Sequence, residues 1–279
     1  MDPVSDSRTD SPRGAPSGAR SGSRPGSRPA PGSGHRRPGR FVRSTAVLAA
    51  ALLLDACGAA PPAPVPRAAE PAPVDCRETA CVALTFDAGP GPDTAKLLDV
   101  LRAKGVHATF FLLGRHIGAR PELVRREAAE GHELGNHTWT HVLLPAAPPE
   151  RIRHELVLVQ DRIRELTGRT PTLMRPPQGR TDARVAEVCR SLGLAEILWS
   201  VTAKDYRDHD PQVITDRVLQ GAQRDGIILL HDIYPGTVPA VPAVIDGLRR
   251  RGLTPVTVSQ LFAPGRPEPG RTYRNASAP

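Results

Sequence analysis

The sequence predicts an α/β domain, a distorted or incomplete (β/α) barrel of about seven parallel strands, over residues 76–264. From residue 81 onward, short runs rich in β-forming residues alternate with amphipathic stretches, as in a parallel sheet covered by helices. Residues 1–75 hold 13 of the 31 prolines and 8 of the 25 glycines. Their single aromatic residue is Phe41, so this segment is too poor in core-forming residues to be part of the domain.

Seven runs are predicted as strands because β-branched and aromatic residues dominate them. The first reads Val-Ala-Leu-Thr-Phe over 82–86, and the turn-forming segment Asp-Ala-Gly-Pro-Gly-Pro follows it. The second reads His-Ala-Thr-Phe-Phe-Leu-Leu over 107–113. The other five lie at 132–136, 172–175, 196–201, 227–231 and 254–257.

Helices are predicted between these strands, where apolar residues recur at helical spacing. Between residues 93 and 104, Leu97, Leu98 and Leu101 share one face. The stretch 121–130 opens with a proline, which the first turn of a helix tolerates. The remaining helices are predicted at 149–167, 182–192, 211–224 and 241–250.

Residues 1–57 are interpreted as a basic low-complexity leader that ends in a signal peptide. The apolar run 44–54 has eleven residues, too few for a membrane span of about 20 but typical of a secretory h-region. The following Leu-Asp-Ala-Cys-Gly resembles a bacterial lipobox, which makes Cys57 a candidate lipidation site. We therefore expect an exported protein, either a lipoprotein on the outer face of the cytoplasmic membrane or a secreted protein. Membrane contact is expected only through the lipid anchor.

The ends of the chain account for most of its unusual composition. Residues 58–75 are predicted to form a Pro/Ala-rich tether, and residues 265–279 a disordered tail. The formal net charge is +8, but residues 1–56 alone carry nine arginines against four aspartates. Because the domain itself is less basic and carries no recognisable nucleic-acid-binding motif, we expect no nucleic-acid partner.

The four cysteines have different expected roles. Export permits disulfides, so Cys76 and Cys81 at the start of the domain are candidates for one. Cys189 lies in a predicted helix and is expected to be a small buried residue. No pair of Cys-x-x-Cys motifs occurs, which excludes a zinc ribbon.

Chemically capable side chains follow the ends of several predicted strands. In parallel (β/α) folds, residues at the carboxyl ends of the strands face the ligand. The sequence therefore predicts one functional site that contains Asp87, His137, His141, Arg175, Asp205 and His231.

Residue chemistry alone leaves the roles of these side chains open. If residues 137–141 make one helical turn, His137 and His141 share a face and can bind one divalent metal. Asp87 is then either a third ligand or a base. His231 is either a general acid or a core histidine bonded to backbone. Arg175 either orients a carboxylate through a bidentate contact or forms a structural ion pair.

Five ordered motifs resemble the polysaccharide deacetylases of the NodB homology domain, carbohydrate esterase family four. They are 85–90 (Thr-Phe-Asp-Ala-Gly-Pro), the pair His137 and His141, 175–179 (Arg-Pro-Pro-Gln-Gly), 199–206, and 229–231 (Leu-Leu-His). The resemblance covers about residues 78–262 and implies a distorted (β/α) barrel. It also implies hydrolysis of N-acetyl or O-acetyl groups on carbohydrate chains with a divalent metal. Zinc is the expected metal, with cobalt, nickel or manganese as alternatives.

The resemblance implies a role for each matched residue. Asp87 stands where the family has its catalytic base, which deprotonates a metal-bound water. His137 and His141 match the two metal-binding histidines. Arg175 matches the arginine that holds the base, and Asp205 the acid that braces that arginine.

The remaining matches concern the substrate. His231 corresponds to the acid that protonates the leaving amine, and Leu229 to the leucine that lines the acetyl-methyl pocket. Backbone N–H groups near Gln178 would stabilise the tetrahedral oxyanion. Pro177, Gln178 and Tyr206 are expected to contact the substrate.

Departures from the family motifs bear on activity. Ala88 stands where the family has a second aspartate, its third metal ligand, and a methyl group cannot ligate. Gln178 replaces an aromatic residue, and Thr202 and Tyr206 replace an aspartate and a tryptophan.

Two functions follow from these observations. The first is a monomeric, metal-dependent deacetylase that acts on an acetylated glycan, with N-acetyl groups of peptidoglycan or a chitin-like polymer as the first expectation. The alternative is a carbohydrate-binding envelope lipoprotein with a weakened metal site and little or no catalysis.

Overall fold

The computed structural model describes residues 74–277. The expected signal peptide, the lipidation candidate Cys57 and nearly all of the expected tether lie outside the described residues. Within residues 74–277, no helix is both long and apolar enough to cross a membrane.

A curled parallel sheet forms the centre of the domain, which confirms the predicted distorted (β/α) barrel. Its strands are β1 (Cys81–Asp87), β2 (Thr109–Leu112), β3 (Glu133–Asn136), β4 (Leu173–Met174), β5 (Ala195–Ile197), β6 (Val201–Thr202), β7 (Ile227–His231), β8 (Thr254–Val256) and β9 (Thr272–Tyr273). Their order is β6-β7-β1-β2-β3-β4-β5-β9, and β8 also pairs with β1. Strand β1 is buried along its whole length because β2, β7 and β8 all pair with it.

Helices connect most of these strands, as the apolar spacing predicts. They are α1 (Thr94–Lys104), α2 (Gly114–Ala119), α3 (Pro121–Ala129), α4 (Pro149–Thr167), α5 (Ala183–Ser191), α6 (Pro211–Gly221), α7 (Thr237–Arg250) and α8 (Val258–Phe262). The short helix α2 directly after β2 was not predicted. It carries residues that line the site described below.

The alternation of side chains along β1 decides which residues can reach the site. Val82, Leu84 and Phe86 pack in the large core cluster that also holds residues of α1 and α7. Successive residues of a strand point to opposite faces, so Thr85 and Asp87 project to the other side, into the barrel. On that side the core is a smaller cluster that includes Phe111 of β2.

The predicted fifth strand, 196–201, is two short strands in the structure. Residues 195–197 form β5 and residues 201–202 form β6. Between them, the carbonyl groups of Ile197 and Leu198 accept hydrogen bonds from the side chain of Arg175 at 2.8 and 3.0 Å. The strand is interrupted where its backbone turns to bind this buried side chain.

The C-terminal segment is ordered as far as residue 277, so the prediction of a disordered tail over 265–279 is wrong for this part. Strand β9 pairs with β5, and Asn275 forms an antiparallel bridge with Gly226, the residue before β7. Tyr273 packs against Phe262 with a ring-centroid distance of 5.1 Å. A strand of two residues has no periodicity to reveal it, and it forms here because the edge of β5 offers it partners.

A disulfide joins Cys76 to Cys81, as predicted, with 5.4 Å between their Cα atoms. It links the entry segment to the first residue of the central strand. Cys189 is a buried free thiol, which also agrees with the prediction.

Truncation after Gly270 should destabilise the domain. It removes backbone hydrogen bonds that join this segment to β5 and to Asp225, among them Glu196 N to Arg271 O, Leu198 N to Tyr273 O and Ala276 N to Asp225 O, together with the packing of Tyr273. We expect a loss of about 2–4 kcal/mol in the free energy of unfolding. A domain of this size should then lose about 5–15 °C in Tm, measured by calorimetry.

Deletion of residues 278–279 alone is the matched control and should leave Tm unchanged. An unchanged Tm in the longer truncation would show that the segment contributes nothing to stability.

Candidate active site

A cavity of about 680 Å³ opens at the carboxyl ends of the strands. Asp87 at the end of β1, His137 and His141 after β3, and His231 at the end of β7 all line it. Arg175 and Asp205 are fully buried and reach the cavity through their partners. The structure therefore brings all six predicted residues together, four on the wall and two behind it.

The guanidinium group of Arg175 holds Asp87 in place. Its Nη1 donates to Asp87 Oδ1 at 2.7 Å and to Thr85 Oγ1 at 2.8 Å. Its Nε and Nη2 donate to main-chain carbonyls, so a bidentate contact with the carboxylate, one of the two alternatives for Arg175, does not form. The ring of Phe111 lies 4.2 Å from the guanidinium carbon and covers it.

The orientation of His137 follows from the same arginine. Its Nδ1 lies 2.8 Å from the carbonyl oxygen of Arg175, and because a carbonyl can only accept, Nδ1 carries the proton. Its Nε2 is left as a lone-pair donor, 3.9 Å from Asp87 Oδ2. Burial lowers the pKa of His137 to about 4, against the opposing charge of Asp87. This imidazole is therefore neutral at pH 7, the form that binds a metal.

The two imidazoles meet through a tight loop and not through the expected helical turn. Their ring centroids are 5.0 Å apart. Thr138 and His141 both have φ of 65°, in the left-handed region, which a helical turn excludes.

Two side chains that the sequence analysis did not select hold this loop. Glu155 of α4 accepts hydrogen bonds from the backbone N–H groups of Trp139 and Thr140 at 2.9 and 2.7 Å. Asn136 accepts from the N–H of Thr138 at 2.9 Å. No local signal marks Glu155, because it lies in a different helix and acts on backbone.

The metal-binding capacity of this arrangement depends on two side chains. His137 and His141 supply two neighbouring imidazoles, a donor pair that suits divalent transition metals. Within residues 74–277, no group of three or more His, Cys, Asp or Glu is arranged to hold an ion. His137 and His141 thus fit an ion that they hold together, with its other positions open.

Ala88 lies directly beside Asp87 on the cavity wall. Its φ of 66° is a conformation that alanine adopts rarely and aspartate more readily. Its carbonyl oxygen lies 2.6 Å from Nδ1 of His116. The backbone at this position is therefore suited to an aspartate, although the side chain is a methyl group.

Asp205 contacts His231, which corrects its expected role as a brace for Arg175. Its Oδ1 lies 2.8 Å from His231 Nδ1, and its Oδ2 accepts from the backbone N–H of His231 and from Thr237 Oγ1, each at 2.7 Å. Four of the five N–H donors of Arg175 bind Asp87, Thr85 and two carbonyls, and none of its hydrogen bonds goes to Asp205. The structure therefore contains two separate pairs, Asp87 with Arg175 and His231 with Asp205.

The pKa of His231 lies above its ordinary value. Burial by itself lowers this pKa, but the hydrogen bond and charge of Asp205, together with the charge of Asp87, outweigh burial. The imidazolium form is therefore favoured at a position that faces the cavity. This is the state that a general acid needs before it donates its proton.

The predicted substrate-contacting residues are mostly on the cavity wall. Leu229, Gln178 and Tyr206 line it, whereas Pro177 is buried and does not. Tyr206 and Tyr234 flank the ring of His231 at centroid distances of 6.0 and 5.4 Å. The side chain of Tyr206 is half exposed, so an apolar ring face is available beside the candidate acid.

Sequence reasoning missed several wall residues. They lie just after β2 and β7 and are Leu113, Arg115, His116, Ile233 and Tyr234, while Trp199, the first residue of the 199–206 motif, lines the wall without an assigned role. The signal that could have found Leu113, Arg115 and His116 is their place directly after β2, since residues after parallel strands face the ligand.

Comparisons with known proteins agree with this geometry. Residues 75–197 match the sequence profile of the family described as polysaccharide deacetylase. The peptidoglycan-N-acetylglucosamine deacetylase PgdA of Listeria monocytogenes is 37% identical over 182 residues, which make up 65% of this chain. The match spans only 38% of PgdA, so this chain corresponds to well under half of that relative.

Solved structures extend the similarity to nearly complete domains. A structure of T48 deacetylase with substrate is 39% identical, with a TM-score of 0.69 over 72% of this chain and 99% of that one. A mutant of BA3943 from Bacillus anthracis, described as a CE4 family pseudoenzyme with restored enzymatic activity, is 26% identical. Its TM-score is 0.64, over 68% of this chain and 70% of that one.

Replacement of Arg175 by Met should destabilise the fold far more than replacement of an exposed arginine. The substitution leaves the buried Asp87 carboxylate and two main-chain carbonyls without their donor. We expect a loss of about 3–5 kcal/mol in the free energy of unfolding, measured by urea denaturation. Arg184→Met is the control, because Arg184 pairs with Asp182 at the surface and should cost less than about 1 kcal/mol. Equal losses would mean that the buried network contributes no more than a surface pair.

Replacement of Asp205 by Asn should lower the pKa of His231, because the carboxylate favours the charged imidazole. In the native protein this pKa is above the ordinary 6.5, so the pair stabilises the fold below that pH. The contribution is lost as pH rises through the raised pKa. An NMR titration of the His231 ring measures the shift. Asp208→Asn, at an ion pair with Arg217, is the control and should leave the titration unchanged.

Proposed function

The chain belongs to the polysaccharide deacetylase family, and we propose that it hydrolyses N-acetyl groups on a glycan of the bacterial cell wall. The observation that carries this proposal is the pairing of a held carboxylate, Asp87 with Arg175, and a held imidazole, His231 with Asp205, on one cavity. A base and an acid that face the same bound group are what amide hydrolysis requires. A binding module has no need of either pair.

The residues divide the reaction between them. Asp87 Oδ1 is occupied by Arg175, which leaves Oδ2 to accept a proton from the attacking water. Asp205 favours the protonated form of His231, which would donate its proton to the leaving nitrogen. A divalent metal bound by His137 and His141 would supply Lewis acidity to the acetyl carbonyl and to water. Backbone N–H groups near Gln178 would stabilise the developing oxyanion.

The walls suit an acetylated sugar. Leu229 offers an apolar surface for the acetyl methyl group, and Tyr206 offers a ring face for a sugar. We propose zinc as the metal, with cobalt, nickel or manganese as alternatives, because imidazole ligands suit all four. A site with two protein ligands should bind any of them more weakly than a site with three.

Peptidoglycan is the first candidate substrate. The basis is similarity to PgdA, whose name assigns it to peptidoglycan, and the signal-like apolar run before the domain, which would export the protein to the wall. A chitin-like polymer is the second candidate. We propose a monomer, held on the outer face of the cytoplasmic membrane through Cys57 or secreted without a lipid.

A second function is favoured by Ala88 alone. A carbohydrate-binding envelope lipoprotein would keep the cavity and lose the metal, and the similar BA3943 is described as a pseudoenzyme. The intact Asp87–Arg175 and His231–Asp205 pairs favour catalysis instead, because they orient a candidate base and a candidate acid, which carbohydrate binding does not require.

Purified protein supplied with zinc, cobalt, nickel or manganese should release acetate from N-acetylated peptidoglycan, measured by an enzyme-coupled acetate assay. Ala88→Asp should bind metal more tightly and release acetate faster, because it adds a carboxylate at a backbone position that suits aspartate. Ala88→Asn is the matched control, since it shares the backbone preference but is uncharged. It should bind metal more weakly than Ala88→Asp.

One pattern of results would reject catalysis by the natural protein. In that pattern, Ala88→Asp releases acetate, whereas the natural chain releases no acetate with any of the four metals. The carbohydrate-binding alternative would then replace the enzyme.

A further inference from the structure

Arg115 is a charged residue of the cavity wall that the proposed reaction does not use. It lies in α2, just after β2, and its side chain is exposed. Its Nη2 donates to the carbonyl oxygen of Thr140 at 3.3 Å. Among residues 74–277, no carboxylate forms an ion pair with it, although a guanidinium offers five N–H donors. Most of its donors are therefore free to meet a ligand.

The position of Arg115 is set by close packing of its backbone. The N–H of Gly114 donates to Thr138 O at 3.0 Å, and the N–H of Arg115 donates to Trp139 O at 3.1 Å. A Cβ atom on Gly114 would lie 2.2 Å from the Trp139 ring, so only glycine permits this approach. The start of α2 is thereby joined to the loop that carries His137 and His141. Arg115 stands at a defined place beside the reaction centre.

The charge balance of the cavity leaves Arg115 uncompensated. The Asp87 carboxylate is paired with Arg175, and His231 is paired with Asp205. Arg115 and Asp87 are the arginine and the aspartate of the wall, and of the two only Asp87 has an opposite partner in the part of the chain that the structure describes. A neutral sugar placed against it would offer hydroxyl oxygens for ordinary hydrogen bonds but no negative charge to balance the guanidinium. A carboxylate would replace them with charge-assisted bonds.

We propose that Arg115 binds a carboxylate of the substrate, so that the protein selects an anionic N-acetylated glycan over a neutral one. The inference rests on the proposed function, which places the acetamido group within the same cavity. The ligand chemistry is a carboxylate carried on the acetylated sugar or on its neighbour. Two sources supply it: the lactyl ether of N-acetylmuramic acid, adjacent to the acetamido carbon, and a uronic acid.

The test compares matched oligosaccharides by calorimetric titration of the full chain, with EDTA present to suppress turnover. Four tetrasaccharides serve as probes, and the first contains N-acetylglucosamine alone. In the second and third, N-acetylglucosamine alternates with N-acetylmuramic acid, whose carboxylates are free in one and converted to N-methylamides in the other. In the fourth, N-acetylglucosamine alternates with glucuronate. We expect the natural chain to bind the free muramic carboxylate roughly tenfold more tightly than its amide, a typical effect for a charge-assisted pair. A tighter Kd for muramate or for glucuronate identifies the source of the carboxylate.

Three variants separate recognition from general charge. Arg115→Gln should abolish the preference for carboxylate over amide, and Arg115→Lys should retain part of it. Arg125→Gln is the control, because Arg125 is exposed on α3 and does not line the cavity, and it should keep the full preference. Equal Kd values for the carboxylate and the amide probe in the natural chain would overturn the proposal. So would an equal loss of the carboxylate preference in Arg115→Gln and Arg125→Gln.

Acetate release, measured separately with metal present, distinguishes the two proposals. Carboxylate preference without any acetate release would reject the proposed function and support anionic recognition. Acetate release without carboxylate preference would support the function and overturn the role of Arg115.

Discussion

The buried side chain of Arg175 organises the whole site. Its N–H groups bind Asp87, Thr85 and the carbonyls of Ile197 and Leu198, and its own carbonyl accepts a hydrogen bond from Nδ1 of His137. A fully buried guanidinium is costly unless it is paired and hydrogen-bonded, and here four of its five N–H groups bind partners from β1 and from the end of β5. The arginine therefore ties together the geometry of the base, the tautomer of a metal-ligand candidate and the break between β5 and β6.

The other reactive groups follow the same rule, in which each is oriented by a partner placed deeper in the protein. Asp205 holds His231 and is itself held by Thr237, while Glu155 holds the loop of His137 and His141 through backbone N–H groups. Groups fixed in this way need no reorganisation when charge develops in the reaction. Tyr206 and Arg115 are exposed wall residues without such a partner, and Arg115 is the one for which we propose a role in discriminating between substrates.

Much of the fold and of the site could be predicted because both depend on short-range patterns. The alternation of strand and helix patterns predicted the sheet. Position at the end of a predicted strand identified Asp87, His137, Arg175 and His231 as site residues. The pairing of Asp205 with His231 could not be predicted, since it joins residues 26 apart whose contact depends on how β7 lies in the sheet. For the same reason, β9 was missed: its two residues carry no period and depend on the free edge of β5.

The amino-acid sequence by itself determined the fold class, the chemical identity of the reactive side chains and the absence of a carboxylate at Ala88. These follow from residue type and local order, which need no knowledge of distant neighbours. Only the tertiary structure decided that Asp205 pairs with His231 and not with Arg175, and how His137 and His141 come together. It also left Arg115 as the uncompensated charge of the cavity. Those outcomes depend on distances between elements that are far apart in the chain. The distances matter because a charge that is buried without a partner costs free energy.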